Sequence, residues 1–225
     1  MPRDAARPAP RKRASAPPAR DAGASRARIL DAATAEFAAY GLGGARVDRI
    51  AASAGANKRM LYYYFGNKES LFRAVLEAAY EKIRAAEAEL SLLNVAPEEG
   101  VSRLVTFTWD YYCAHPEFIT LLNSENLHQA RHLRDSLHIR AMNSPVIRTL
   151  GEILRRGKRE GAFRASPDPL QLYISIAALG YFYLSNNATL STVFDRDLAT
   201  IGARRARLKH MTALVLGYLK QDAPA

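Results

Sequence analysis

With 225 residues, 48% of them apolar, the chain has room for one large domain or two small ones and enough material to close a core. A single cysteine, Cys113, excludes an internal disulfide, and the longest apolar run, residues 170–184, is interrupted by Gln171 and Ser175 and falls short of the ~20 residues that span a bilayer. The net charge of +10 is unevenly placed: residues 1–68 hold 13 Lys and Arg against 5 Asp and Glu, the remainder 19 against 17, so a polyanionic partner is expected at the N-terminal end.

Residues 1–24, MPRDAARPAPRKRASAPPARDAGA, lack apolar periodicity and read as a disordered basic tail. No apolar segment of a secretory signal is present, and acidic residues and prolines argue against a transit peptide, so a cytoplasmic protein is expected. Arg11, Lys12 and Arg13 offer a basic arm for phosphates or a minor groove. Ser25 is placed to cap a first helix whose stripe is Ile29, Ala33, Phe37 and Tyr40, with Gly41 ending it.

The stretch VDRIAASAGANKRMLYYYFGNK, residues 47–68, organises the chain. Val47, Ile50, Ala51 and Ala54 fall at i, i+3, i+4 and i+7, one apolar helical face, and Gly55 follows where a helix end favours φ > 0. Asn57 can cap a second helix, with Leu61 and Phe65 turned inward. Its other face carries Lys58, Arg59, Met60, Tyr62, Tyr63 and Tyr64. Three consecutive tyrosines cannot all point inward on a helix turning ~100° per residue. The pattern predicts a helix-turn-helix whose second helix enters a DNA major groove. The candidate DNA-contacting set is Arg46, Arg49, Asn57, Lys58, Arg59, Met60, Tyr62, Tyr63, Tyr64 and Lys68, with Arg49 aimed at a phosphate or a guanine edge and Lys68 at a phosphate.

Asn67 caps a fourth predicted helix, with Leu71, Val75, Ala79 and Ile83 inside, running to about residue 93 as the bridge to the C-terminal part of the chain. Pro97 opens a helix striped by Val101, Val105, Trp109 and Tyr112, which His115-Pro116 breaks. A helix from Pro116 covers Phe118, Ile119, Leu122 and Leu127, and the segment through Arg140 stays unassigned. Ser144-Pro145 opens a helix with Ile147, Leu150, Ile153 and Leu154 inside, ended by Gly161. Asp168-Pro169 opens the most apolar helix, and residues 196–220 form the last, with Leu198, Ile201, Leu208, Met211 and Val215 inside. Nothing alternates as a strand would, so the expected fold is all-α. Its parts are a tail over 1–24, a helix-turn-helix domain over 25–68 and a larger helical domain over 69–221.

The pieces ILDAATAEFAAYG, VDRIAASAGANKRMLYYYF and NKESLF, within residues 29–71, resemble the DNA-binding domain of the tetracycline-repressor (TetR) family of bacterial regulators. Residues 115–219 resemble the ligand-binding part of regulators like the pyrimidine-utilisation repressor. Where the family usually has threonines before the first helix of the motif, this chain has Ala45 and Arg46, so a hydroxyl cap is missing and Arg46 is left to reach a phosphate. The resemblance implies that Tyr62 and Tyr64, with Tyr63 between them, hold backbone phosphates. It further implies a homodimer joined by its last two helices, a roughly palindromic double-stranded operator, and a small organic effector bound within the helical domain.

Trp109, Tyr112, Phe118, Tyr173, Ala177 and Tyr181 are the candidates to line that effector pocket, although the same stripes read equally as plain core or dimer interface. Their rings, with the amides of Gln171 and Asn186, point to a planar or heterocyclic effector. No cofactor, metal, catalytic group or membrane is called for. His128 and His132 have the i, i+4 spacing of metal ligands, but Gln129 stands where a HExxH motif needs glutamate, and Arg131, Arg134 and Arg140 oppose a cation. Cys113 has only His115 nearby and reads as inert. Two rival classes remain: an α-helical enzyme or ligand carrier with an incidental basic N-terminus, and a structural DNA-binding protein without sequence choice.

Overall fold

The computed structural model describes residues 19–134, 136–164 and 167–220, and most of its helices start and stop where the sequence supplies local chemistry for it. The first, α1 (Ala19–Gly44), breaks at Gly41, whose φ of 63° is the left-handed conformation that glycine adopts without a Cβ penalty. Its start lies earlier than Ser25, which does not cap it: Ser25 sits buried inside the helix and accepts a bond from Arg28 Nη2 at 3.0 Å. Residues 1–18 of the expected tail lie outside the described residues, and the part from Ala19 is helical. Helix α2 (Val47–Ser53) has no side-chain cap at Arg46, as the missing hydroxyl implies. Helices α3 (Lys58–Phe65) and α4 (Lys68–Ala88) are capped by Asn57 Oδ1, which accepts the Met60 N–H at 2.9 Å, and by Asn67 Oδ1, which accepts the Ser70 N–H at 2.7 Å. Such caps are each worth about 1 kcal/mol. Ile29, Phe37, Ile50, Leu61, Phe65, Leu71 and Phe72 close the N-terminal core. Tyr40, expected inside, is 55% exposed, because the break at Gly41 leaves the end of α1 at the surface.

Helix α4 ends at Ala88, short of residue 93. The chain turns through a left-handed Ser91 into a 3-10 turn (Leu92–Asn94), and Arg156 donates to the carbonyls of Leu93 at 2.7 Å and Val95 at 3.0 Å, fastening this turn to the helix that carries this arginine. Helices α5 (Pro97–Ala114) and α6 (Pro116–Leu127) each begin on a proline whose missing N–H costs nothing in a first turn. Leu127, expected inside α6, is 84% exposed at its end. Gln129 and Ala130 both take positive φ, and a short α7 (Arg131–Arg134) follows. Helix α8 (Leu137–Arg159) begins well before Ser144-Pro145, because Ser136 Oγ caps it by accepting the Ile139 N–H at 3.3 Å. Pro145 lies inside α8, exposed, where it forgoes one backbone hydrogen bond.

Asp168 caps α9 (Pro169–Ser185). A short α10 (Asn187–Val193), not expected from the sequence, follows α9, and the last predicted helix, residues 196–220, begins later as α11 (Ile201–Lys220), with Leu198 in the turn before it and Ile201 exposed. No strand occurs among the described residues. The C-terminal core joins Val101, Val105 and Trp109 of α5 to Leu150 and Ile153 of α8, Leu172 and Ile176 of α9, and Met211, Val215 and Leu219 of α11. Met211 and Val215 therefore serve their own subunit. Among the apolar side chains left uncovered are Leu170, Ile174 and Phe182 on α9, and Leu214 and Tyr218 on α11.

Candidate nucleic-acid interface and effector cavity

Helix α3 has two faces. Leu61 and Phe65 are buried, Met60 and Tyr64 are half-buried, and Lys58, Arg59, Tyr62 and Tyr63 face solvent, Tyr63 with 74% of its surface exposed. Tyr64 packs against the core, its ring edge-on to both Tyr63 and Phe65, and its hydroxyl is buried without a hydrogen-bond partner, so this tyrosine does not stand out to meet a phosphate. Asn57 is exposed, but its Oδ1 is taken up in capping α3. Lys58 forms a short ion pair with Asp48 of α2, and Arg46, 3.9 Å from the same carboxylate, is otherwise open to solvent.

Two of the expected DNA contacts are committed to the fold. Glu36 of α1, buried, accepts the Arg46 backbone N–H at 2.8 Å and Arg49 Nε at 2.7 Å. Arg49 also donates to the Gly44 carbonyl at 3.0 Å and lies over the Tyr40 ring at 4.2 Å. Lys68 donates to the Ala45 carbonyl at 2.7 Å and reaches that of Gly43 at 3.5 Å, so its charge closes the turn after α1. In the free protein Arg49 and Lys68 thus hold the helix-turn-helix together, and a DNA contact by either would have to share or release these bonds. Their partners are 13 and 23 residues away in sequence, and only the fold reveals them.

The bond from Arg49 holds the Glu36 carboxyl below the usual carboxylate range. Because that value is depressed on folding, the stabilisation is present above about pH 4.5 and is lost as the pH falls through the lower folded value. Glu36→Ala leaves the Arg46 N–H and the Arg49 guanidinium without their acceptor and should cost about 1–3 kcal/mol. Thermal melts at pH 7 and pH 3 should show the gap between the two proteins narrowing in acid; a constant gap would contradict the role given to Glu36.

The six pocket candidates separate. Trp109 is sealed in the main core, edge-on to Tyr183. Tyr112 and Phe118 stack at 5.9 Å with Tyr181 packed beside them, filling the space between α4, α5, α6 and α9. The Tyr181 hydroxyl makes a short bond to Asn123 Oδ1. Ala177 is half-buried on α9. Tyr173 accepts a bond from Arg84 Nη2 at 2.8 Å. A cavity of about 580 Å³ lies one layer away between α4 and α8, lined by Arg84, Glu87, Ala88, Leu92, Met142 and Val146 among others, while Tyr112 borders a smaller one of about 210 Å³ with Asn123 and Leu184. Sequence reasoning missed the larger one: Arg84 and Glu87, three apart, look like an ordinary surface pair, yet both are buried.

Helix α4 was expected to be the one connector between the two parts, but α6 is a second. Leu121 of α6 enters the N-terminal core, and Ser124 Oγ accepts the Leu42 N–H at 3.3 Å. Next to it, buried Glu125 accepts the backbone N–H groups of His132 at 2.8 Å and Leu133 at 3.1 Å and bonds His132 Nδ1 at 2.6 Å. His128 Nδ1 bonds the Ser124 carbonyl at 2.7 Å. The two histidines thus brace the α6–α7 turn from within, and the His132 ring also lies edge-on to Phe72 of α4. Cys113 is half-buried, and burial pushes its thiol up.

Comparison with known proteins agrees with this geometry. The family described as "Bacterial regulatory proteins, tetR family" matches residues 29–75, and "Tetracyclin repressor-like, C-terminal domain" matches residues 97–215. The HTH-type transcriptional repressor NicS of Pseudomonas putida is 42% identical over 203 residues, covering 90% of this chain and 96% of the relative. The HTH-type transcriptional regulator RutR of Escherichia coli is 32% identical over 114 residues, 51% of this chain and 53% of the relative. Among solved structures, a putative transcriptional regulator of Streptomyces coelicolor, SCO4942, superposes with a TM-score of 0.64 at 26% identity, covering 84% of this chain and 97% of the other. A two-faced recognition helix, an all-α body behind it and family matches over both parts place the chain in the TetR family of bacterial transcriptional regulators.

Proposed function

We propose that the protein is a homodimeric repressor that a small organic effector releases from a roughly palindromic operator. The observation that carries this reading is the continuity of α3 and α4. The solvent-facing side chains of α3 are followed at once by a helix whose far end lines the 580 Å³ cavity. Arg59, Tyr62 and Tyr63, with Lys58 and Arg46, form the DNA-facing set, the arginine and lysine near the helix start where base edges are met. Leu170, Ile174, Phe182, Leu214 and Tyr218 form the face that meets a second copy, consistent with the four-helix interface of TetR-like proteins. Two recognition helices then occupy successive major grooves.

An effector can shift this equilibrium only through a difference in affinity between the bound and released conformers, several kcal/mol for a change from mostly bound to mostly released. By reciprocity, operator DNA weakens effector binding by the same factor. Selection from a pool of genomic fragments should return a two-fold symmetric site. Calorimetry should then give a lower effector affinity for the protein–operator complex than for the free protein. Recovery of bulk DNA without a preferred site would favour a structural DNA-binding protein and overturn this reading.

A further inference from the structure

Arg84 is the least satisfied charged group among the described side chains. It is 91% buried by its 9% side-chain exposure, and it lines the cavity between α4 and α8. Of its guanidinium nitrogens, Nη2 donates to the Tyr173 hydroxyl at 2.8 Å. Nη1 approaches Glu87 Oε2 at 2.7 Å, but at an angle that makes no hydrogen bond, and Nε has no partner. A buried guanidinium with unused donors is costly unless something else accepts them, and its planar fork matches a carboxylate. The rest of the wall is largely aliphatic: Ala85, Ala88, Leu92, Met142, Pro145 and Val146.

We infer that this cavity is the effector site and that its ligand is a small monocarboxylate with an apolar body, held by the Arg84 guanidinium in place of Glu87. The inference rests on the regulatory reading above and gives it a ligand class. Planarity of the ligand, expected from the aromatic stripe, has no support in this wall, whose described lining residues include no aromatic ring. The resident counter-charge does not block the site. Glu87 faces Arg84 on its own helix and the phenols of Tyr112 on α5 and Tyr173 on α9, while the Glu81–His138 pair links α4 to α8 on the exposed side. Burial pushes the Glu87 carboxyl up to about 7, so a proton readily replaces its charge when a second anion arrives. The ligand carboxylate then becomes the partner of Arg84, and Glu87 is left neutral beside it.

The test uses the full-length dimer and three probes of similar size: benzoate, hexanoate and the uncharged benzamide, titrated calorimetrically with and without operator DNA. At least one carboxylate should bind about 10- to 100-fold more tightly than benzamide. Glu87→Gln, which removes the competing anion, should keep or strengthen carboxylate binding. The double variant Arg84→Gln/Glu87→Gln removes both charges together, so no unpaired charge is left to unfold the core, and it should bind carboxylate no better than amide. Benzamide binding as tightly as benzoate, retention of the carboxylate preference in the double variant, or no binding of either carboxylate would overturn the inference. Two results separate it from the broader reading. Carboxylate binding that leaves operator affinity unchanged would overturn effector-controlled release and spare the site. Release of the operator by an uncharged compound, without carboxylate binding, would overturn the site and spare the regulation.

Discussion

Aspartate at Phe182 or at Leu214 is expected to give a folded monomer that has lost about 100-fold or more of its operator affinity. Both side chains are about half exposed, at 57% and 47%, on the uncovered faces of α9 and α11, and neither contributes to the subunit's own core. A charge there costs the monomer little and makes a desolvated apolar interface untenable. The monomer retains one recognition helix, and a single half-site contact lacks the gain of two linked ones. Sedimentation, far-ultraviolet circular dichroism and an operator titration read the three parts of this result. Aspartate at Met211 or Val215 should instead unfold the protein, since these residues are 0% and 2% exposed within the subunit. A Leu214→Asp protein that still sediments as a dimer would rule out this face.

Replacing Lys58 and Arg59 together by alanine is expected to weaken operator binding by about 2–4 kcal/mol and to lower the slope of log affinity against log salt by about two. Helical content should be unchanged, because both side chains are exposed and lie opposite Leu61 and Phe65. The two are not equivalent. Lys58 must leave Asp48 to meet a phosphate, whereas Arg59 gives up no ion pair shown in the free protein, so Arg59→Ala alone should account for more than half of the loss. Filter-binding titrations at several salt concentrations measure both quantities. Unchanged affinity and slope in the double variant would remove α3 from the interface.

The elements that the sequence made legible are those with a local signal. Gly41 and Gly55 end helices with positive φ, Asn57 and Asn67 cap them, and the prolines at 97, 116 and 169 open them, each through atoms a few residues apart. The start of α8 was hidden because a proline normally marks a first turn, and the Ser136 cap lies in a polar stretch without periodicity. In the candidate site, the exposure of Lys58, Arg59, Tyr62 and Tyr63 followed from helical geometry, whereas Met60 and Tyr64, read onto the same face, are half-buried. The internal bonds of Arg49 and Lys68 did not follow from it, since a cation beside a turn reads the same whether a phosphate or a distant carbonyl accepts from it. The cavity was illegible for a related reason. A stripe such as Trp109 and Tyr112 shows that a face is buried and says nothing of whether the space before it is filled.

The fastening of the turn after α4 has a mechanical consequence. Arg156 holds the carbonyls of Leu93 and Val95 and so fixes the chain just beyond the end of α4, while the other end of the helix, at Lys68, is joined to the helix-turn-helix. A helix held this way is a lever with its fulcrum at one tip. At about 1.5 Å of rise per residue, Arg84 stands roughly 6 Å from Ala88, and Lys68 stands roughly 30 Å from it. A sideways displacement of about 0.5 Å at Arg84 would therefore sweep the base of the recognition helix through roughly 2.5 Å, and cutting the Arg156 anchor would let the same push dissipate as a tilt of the whole rod.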